Sequence, residues 1–284
     1  MNAAHLGRRA FSAQMAAPAP IASLAMYDWP ELQWANDAIW SAIAAELNAR
    51  GLAEVPVRLT RNEDLAAVWT SPSLLLGQTC GYPLMTRLKD RVRLVATPCY
   101  DAPGCEGPFR RSAIVVAASS RASRLADLRG ARCALNDATS DSGMNLLRAA
   151  IAPLAGGQAF FSQVIITASH LASAEAVASG AADAAALDAV SYAHLRRLKP
   201  EVTRALRLLQ WTERTPGLPL VTAADPATVR LLQAALSAVA GDPELADARR
   251  ALLLSEYHRL PLSHYRAALY LEERARVLGY EELR

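Results

Sequence analysis

One stretch constrains the chain more than any other: residues 133–148, Cys-Ala-Leu-Asn-Asp-Ala-Thr-Ser-Asp-Ser-Gly-Met-Asn-Leu-Leu-Arg. After the break at Gly130 it opens as a short apolar run, Arg132–Leu135. It then passes through a turn carrying Thr139, Ser140 and Ser142. From Gly143 onward it takes helical spacing, with Met144, Leu147 and Ile151 on one face. A strand, a hydroxyl-rich turn and a helix start therefore follow one another. A helix N-terminus offers unpaired N–H groups and the positive end of the dipole, so it attracts oxyanions. One serine alone is explained as a helix cap. Three hydroxyls within four positions, followed by a glycine that lets a ligand approach the backbone, point to an anion seat. Asp141 is expected to face solvent and add to the helix dipole.

Similar corners recur along the chain. Ile21–Tyr27 reads as a strand, and Asp28-Trp29-Pro30-Glu31 as a helix start with Asp28 as N-cap. The stripe Leu32, Ala35, Ile39, Ile43 and Leu47 makes that helix's buried face, and Gly51 ends it. Tyr27 and Trp29 then lie where a strand's carboxyl end meets a helix, the edge at which open α/β sheets bind ligands; core packing explains them equally well. Val55–Thr60 is an expected strand. Leu74–Leu76 is another, ending in Gln78-Thr79-Cys80-Gly81-Tyr82-Pro83. Strands are also expected at 92–98, 111–118, 163–167, 183–187 and 206–211. Residues 224–239, 243–255 and 262–278 read as helical. Strands that are short, apolar on both sides and followed by helices argue for mostly parallel sheets covered on both faces.

A chain of 284 residues, 52% hydrophobic and 20% charged, can bury a large core and form two lobes. A formal charge of only +3 gives no reason to invoke nucleic acid. No apolar run reaches the length of a membrane span. Gly7–Phe11 faintly resembles a twin-arginine export signal, but Ser12–Pro20 is too short and too interrupted for an apolar signal core, so residues 1–19 are expected to be a flexible leader or an upstream extension. Cys80, Cys99, Cys105 and Cys133 form no Cys-x-x-Cys pair, and no metal site or cofactor motif follows from them. Cys99 and Cys105 flank a Pro-Gly turn, either as a bridge or as reduced loop residues.

Four segments together resemble the phosphate/phosphonate-type substrate-binding proteins of ABC importers, within the type II periplasmic binding proteins. They are Tyr27-Asp28-Trp29-Pro30, Gln78–Pro83, the Ser140-Asp141-Ser142-Gly143 loop, and Ser169-His170 through Ala176–Asp183 to Leu187-Asp188-Ala189-Val190. Order and spacing agree over roughly residues 20–222. The resemblance implies two α/β lobes closing on a ligand, with lobe one at 20–110 plus 218–284 and lobe two at 111–217. It implies a small oxyanion ligand contacted by Thr139, Ser140, Ser142 and Gly143, with His170 beside them. Tyr27, Trp29, Cys80, Gly81, Tyr82 and Asp188 would line the cleft. Asp188 would repel a dianion unless it accepts from a ligand amine, from a protonated phosphoryl oxygen or from the hinge backbone, so a ligand with both an oxyanion head and a donor suits it. The resemblance further implies a periplasmic location and an ABC permease as partner, although without a clear export signal a cytoplasmic one stays open. Ala168 departs from the family, which often has Gly there.

A Ser/His/Asp hydrolase is the competing use of Ser140, Ser142, His170 and Asp188. No Gly-x-Ser-x-Gly elbow surrounds either serine, and no motif supports Cys80 as a nucleophile, so no catalytic residue is assigned. A small-molecule enzyme on the same fold, akin to lyases of menaquinone biosynthesis or pyrimidine-synthesis proteins, and a cytoplasmic anion sensor are the alternatives to transport.

Overall fold

The computed structural model describes residues 19–284, so the leader expected at 1–19 lies almost wholly outside the described residues. Two five-stranded sheets form the frame. The first runs Ile21–Ser23, Leu74–Gln78, Leu220–Thr222, Arg93–Tyr100, Leu254–His258. The second runs Leu206–Trp211, Ser112–Ala117, Ala184–Asp188, Arg132–Leu135, Gln163–Ile166. A small three-stranded sheet, Thr215–Pro216 against Phe109–Arg110 against Cys105–Glu106, lies where the chain crosses between them.

The expected α/β architecture with helix-covered sheets is present, but the sheets are mixed rather than mostly parallel. The large sheets contain three parallel pairings and five antiparallel ones. The reason is the crossing itself. Leu220–Thr222 re-enters the first sheet between Leu74–Gln78 and Arg93–Tyr100 and runs against both. Ser112–Ala117 enters the second sheet against Ala184–Asp188. A short apolar run carries no record of its direction.

The helix Gln33–Ala49 buries Ala35, Ile39, Trp40, Ile43 and Leu47 on the first sheet, as its periodicity requires. Asp28 does not cap it. A turn of 3-10 helix, Pro30–Leu32, comes first, and the Asp28 carboxylate takes the Asn36 amide at 2.9 Å and the Arg61 guanidinium at 3.1 Å. Residues 55–60 form no strand. Glu54 and Asn62 on either side take φ of 60° and 61°, Val57 is exposed, and the Thr60 N–H to Ala22 C=O bond at 2.7 Å and the Trp40 Nε1 bond to the Pro56 carbonyl at 3.0 Å tie the loop down. The helical segment expected to run to 255 ends at Leu252, because Leu253 turns left-handed at φ 58°. Leu254–His258 then pairs with Arg93–Tyr100 as an edge strand.

The C-terminal helix, which the sequence grouped with the first lobe, packs instead on the second sheet's side. Leu271 of Ala267–Val277 sits against Leu146 and Ala149. Ala275 and Tyr280 enter the core formed by Ile114, Val116, Ile151 and Phe160. The Phe160 and Phe161 amides donate to the Arg284 carbonyl at 2.7 and 3.1 Å. Apolar spacing reveals a buried face but not which sheet it meets.

Candidate functional site

Three chain segments converge between the two sheets. The Phe109–Arg110 crossing strand delivers Arg110, which is only 2% exposed. Ala184–Asp188 ends in Asp188, whose Oδ1 caps the helix Ala189–Leu198 by accepting the Val190 and Ser191 amides at 3.0 and 2.9 Å. From the first sheet, the Tyr27 hydroxyl donates to the same Oδ1 at 2.8 Å, and its ring stands edge-on to Tyr100 at 5.2 Å. The Arg110 guanidinium closes the set by donating through Nη1 to Asp188 Oδ2. Its Nη2 lies 4.0 Å from Asp141 Oδ2.

The electrostatics follow from that packing. Burial opposes charge on Asp188, yet Arg110, His170 and the capping donors hold its pKa below the ordinary carboxylate range. Burial likewise opposes charge on Arg110, and Asp188, Tyr27 and Asp141 keep it firmly protonated. Asp141 moves the other way: burial raises its pKa, against the pull of Arg110 and Asn145. Asp141 is therefore not the solvent-facing residue expected, being 1% exposed and bonded to Asn145.

The hydroxyl turn has the predicted strand–turn–helix form, with a wider π turn over Asp141–Asn145 leading into Leu146–Ala155. Ser140 is the cap, its Oγ accepting the Gly143 amide at 3.0 Å. Its Oγ lies 3.4 Å from that of Ser142, which meets His170 Nε2 at 3.1 Å. Ser112 Oγ donates to the Ser142 carbonyl at 2.9 Å, fixing the turn to the strand that pairs with Ala184–Asp188. A Cβ on Gly143 would lie 1.7 Å from Asn136 Oδ1, so any larger residue here would have to push the Asn136 side chain aside. Burial pulls the His170 pKa to about 4, with Asp188 raising it and Arg110 lowering it, so the ring is neutral near pH 7. Ser169 caps the His170–Ala178 helix through the Ala172 amide at 3.0 Å. Ala168, where the family often has Gly, takes φ 67°, a left-handed conformation costing a side chain about 1 kcal/mol.

Other expected lining residues sit differently. Thr139 is tied to the exposed rim, its N–H and Oγ1 both donating to Asp137 Oδ1 at 2.5 and 2.6 Å. Tyr82 turns away to donate to Glu272 at 2.5 Å. Trp29 packs against both large cores, its ring 6.1 Å from that of His194. Gly81 and Cys80 do reach the cluster: a Cβ on Gly81 would lie 3.3 Å from Asp141 Oδ2, and Cys80 is buried with Tyr27. Burial lifts the Cys80 thiol to about 12, which leaves it protonated and a poor nucleophile. Arg110 and Ser112 were not among the residues the sequence picked out for the site. The one signal for Arg110 was an arginine pair immediately before a fully apolar strand.

The buried polar atoms of the cluster without a hydrogen-bond partner are Arg110 Nε and Nη2, Asn136 Oδ1 beside Gly143, and His170 Nδ1, whose ring the Ala186 backbone nonetheless approaches. Buried polar atoms are seldom left so, and each costs about 1–3 kcal/mol. They lie beside the hydroxyl turn, with Arg110 Nη2 4.0 Å from Asp141 Oδ2 and His170 Nε2 3.1 Å from Ser142 Oγ. A cavity of about 30 Å³ behind Tyr27 and Tyr100 is lined mainly by apolar residues of the first core, and neither Arg110, Ser140, Ser142 nor His170 borders it. Among the described residues Cys99, Glu256 and His258 bring donor atoms within 4.8 Å of one another. Glu256 and His258 are an exposed pair bonded at 2.8 Å above a buried thiol. All four cysteines are free, and no helix of the described residues is long and apolar enough to cross a membrane.

Solved structures share this architecture at low identity. A binding-protein component of an ABC phosphonate transporter from Pseudomonas aeruginosa is 16% identical, with a TM-score of 0.72 over 91% of this chain and 87% of that one. PhnD1 from Prochlorococcus marinus in complex with methylphosphonate is 17% identical, with a TM-score of 0.68 over 86% and 94%. XAC2383 from Xanthomonas citri bound to ATP is 17% identical, with a TM-score of 0.67 over 91% and 97%. Among curated proteins no sequence match is found. The family model for the periplasmic substrate-binding protein of ABC phosphonate transporters matches residues 39–265, well over half of the chain. The chain therefore belongs to the phosphonate substrate-binding protein family of ABC transporters.

Proposed function

We propose that this protein captures a small phosphorus oxyanion between two lobes and hands it to an ABC permease. One lobe is built on the first sheet, 20–110 with the returning chain from 218. The other is 111–217 with the C-terminal helix packed on it. The observation that carries the reading is the convergence of Ser140, Ser142 and His170 at a buried helix start, directly beside Arg110. Backbone N–H groups and hydroxyls there suit an oxyanion, and lobe closure removes it from water. Tyr27, Cys80 and Gly81 would form the opposing wall. The family and the methylphosphonate held by PhnD1 of Prochlorococcus marinus favour phosphonates within this class. The same residues give a hydrolase little support, because the helix start offers donors, Asp188 is taken up by Arg110, and Cys80 is a protonated thiol.

A thermal-shift panel tests this: methylphosphonate, phosphate, sulfate, an alkylsulfonate and acetate, each against the full chain. A ligand at a hundredfold excess over its Kd stabilises by about 2.7 kcal/mol, so a rise in Tm confined to the phosphorus oxyanions is expected. Silence from both phosphorus compounds, or an equal response to every anion, contradicts the proposal.

A further inference from the structure

Asp188 offers a ligand almost nothing. Its Oδ1 already accepts from Tyr27 and from the Val190 and Ser191 amides. Its Oδ2 already accepts from Arg110. A carboxylate with three donors on one oxygen and a guanidinium on the other has little free charge left to hold a ligand ammonium. Of the partners expected for Asp188, backbone donors are the ones present, and Arg110, which arrives from the crossing strand 78 residues earlier in sequence, stands where a ligand amine would.

Arg110 has more donors than Asp188 uses. Its Nε and Nη2 are buried without a hydrogen-bond partner, and Asp141 stands 4.0 Å off with a raised pKa. The guanidinium is a fixed planar fork suited to bidentate contact with a phosphoryl group. It adjoins the Ser142–His170 pair, since its Nη2 lies 4.0 Å from Oδ2 of Asp141, the residue before Ser142.

Resting on the oxyanion reading above, we infer that Arg110 is a specificity-determining residue: it supplies the cation of the site from within the chain, contacts the ligand anion through Nε and Nη2, and selects an oxyanion that carries no ammonium group. Specificity is a difference of affinities and is often set by what the site repels. A ligand ammonium here would face a guanidinium and lose its hydration without gaining a carboxylate.

Calorimetry with methylphosphonate and 2-aminoethylphosphonate, on the wild-type chain and on Arg110→Gln, tests this. Wild type should bind methylphosphonate about tenfold to a hundredfold more tightly, the range set by one charge-assisted contact. Arg110→Gln, which frees Asp188, should lose affinity for methylphosphonate and shift its preference toward the amino compound. Equal wild-type affinity, or a preference for 2-aminoethylphosphonate, overturns the inference while leaving the oxyanion reading intact. Binding of neither compound by wild type fells that reading, and the inference with it. Should Arg110→Gln fail to fold, the Arg110 Nε–H resonance of ¹⁵N-labelled wild type decides the contact. It should move on saturation with methylphosphonate, and an unmoved resonance at saturation overturns the contact.

Discussion

His194 is fully buried on the helix Ala189–Leu198, between the rings of Tyr27 and Trp29 at 6.2 and 6.1 Å, and neither of its ring nitrogens has a partner in the chain. Burial pulls its pKa to about 4, with Arg197 lowering it further and Asp188 raising it. His170 is shifted to the same value. The folded state therefore keeps both rings neutral, while the unfolded chain takes up protons below about pH 6.5. Their contribution to stability is complete above pH 6.5 and is lost as pH falls toward 4, by up to about 3 kcal/mol for each ring. Urea unfolding of wild type and His194→Leu across that window should show a shallower loss in the variant. Equal slopes would contradict the burial argument. The serines were legible at this scale because a cap and an anion seat share one local pattern, strand to hydroxyls to glycine to helix. Arg110 was not legible, because its role comes from Asp188, a partner distant in sequence that only the crossing strand brings near.

At the scale of elements, periodicity located most helices and strands and left their partners open. The apolar stripe of the C-terminal helix was visible, but its seat on Leu146, Ala149 and the Phe160 core was not. The edge strand Leu254–His258 was hidden for a related reason. Three leucines in a row extend a helix as readily as they start a strand, and the choice is made by the left-handed Leu253 and the waiting edge of Arg93–Tyr100. Tyr280 tests the C-terminal seat. It is fully buried, its hydroxyl donates to the Arg284 carbonyl at 2.5 Å, and its ring enters the second core. Tyr280→Ala should destabilise by about 3–5 kcal/mol, as for other large aromatic-to-alanine changes in cores. A shift in the denaturation midpoint worth less than about 1 kcal/mol would mean that this end of the chain is not part of the core.

In the whole molecule the two sheets are joined at three places. Two are the paired crossings at Phe109–Arg110 and Thr215–Pro216, and the third is the passage through Leu262–Arg266 into the C-terminal helix. Between them the two sides touch where the Tyr27 hydroxyl meets Asp188 and Gly81 meets Asp141. Farther out, Tyr82 meets Glu272 and Lys199 meets Glu31 at 2.8 Å. The outer Lys199–Glu31 ion pair contributes little, whereas the Tyr82–Glu272 bond is half-buried. The inner, buried ones lie beside the hydroxyl turn, so on the proposed reading the sides would have to part for an anion to reach it. The most direct test of that seat is titration calorimetry of methylphosphonate into the wild-type chain and into Ser142→Ala, whose hydroxyl bridges the turn and His170. A weakening of about 1–3 kcal/mol in the variant, with the chain still folding cooperatively, is the predicted result. Affinity equal to that of wild type would place the ligand elsewhere and contradict the account.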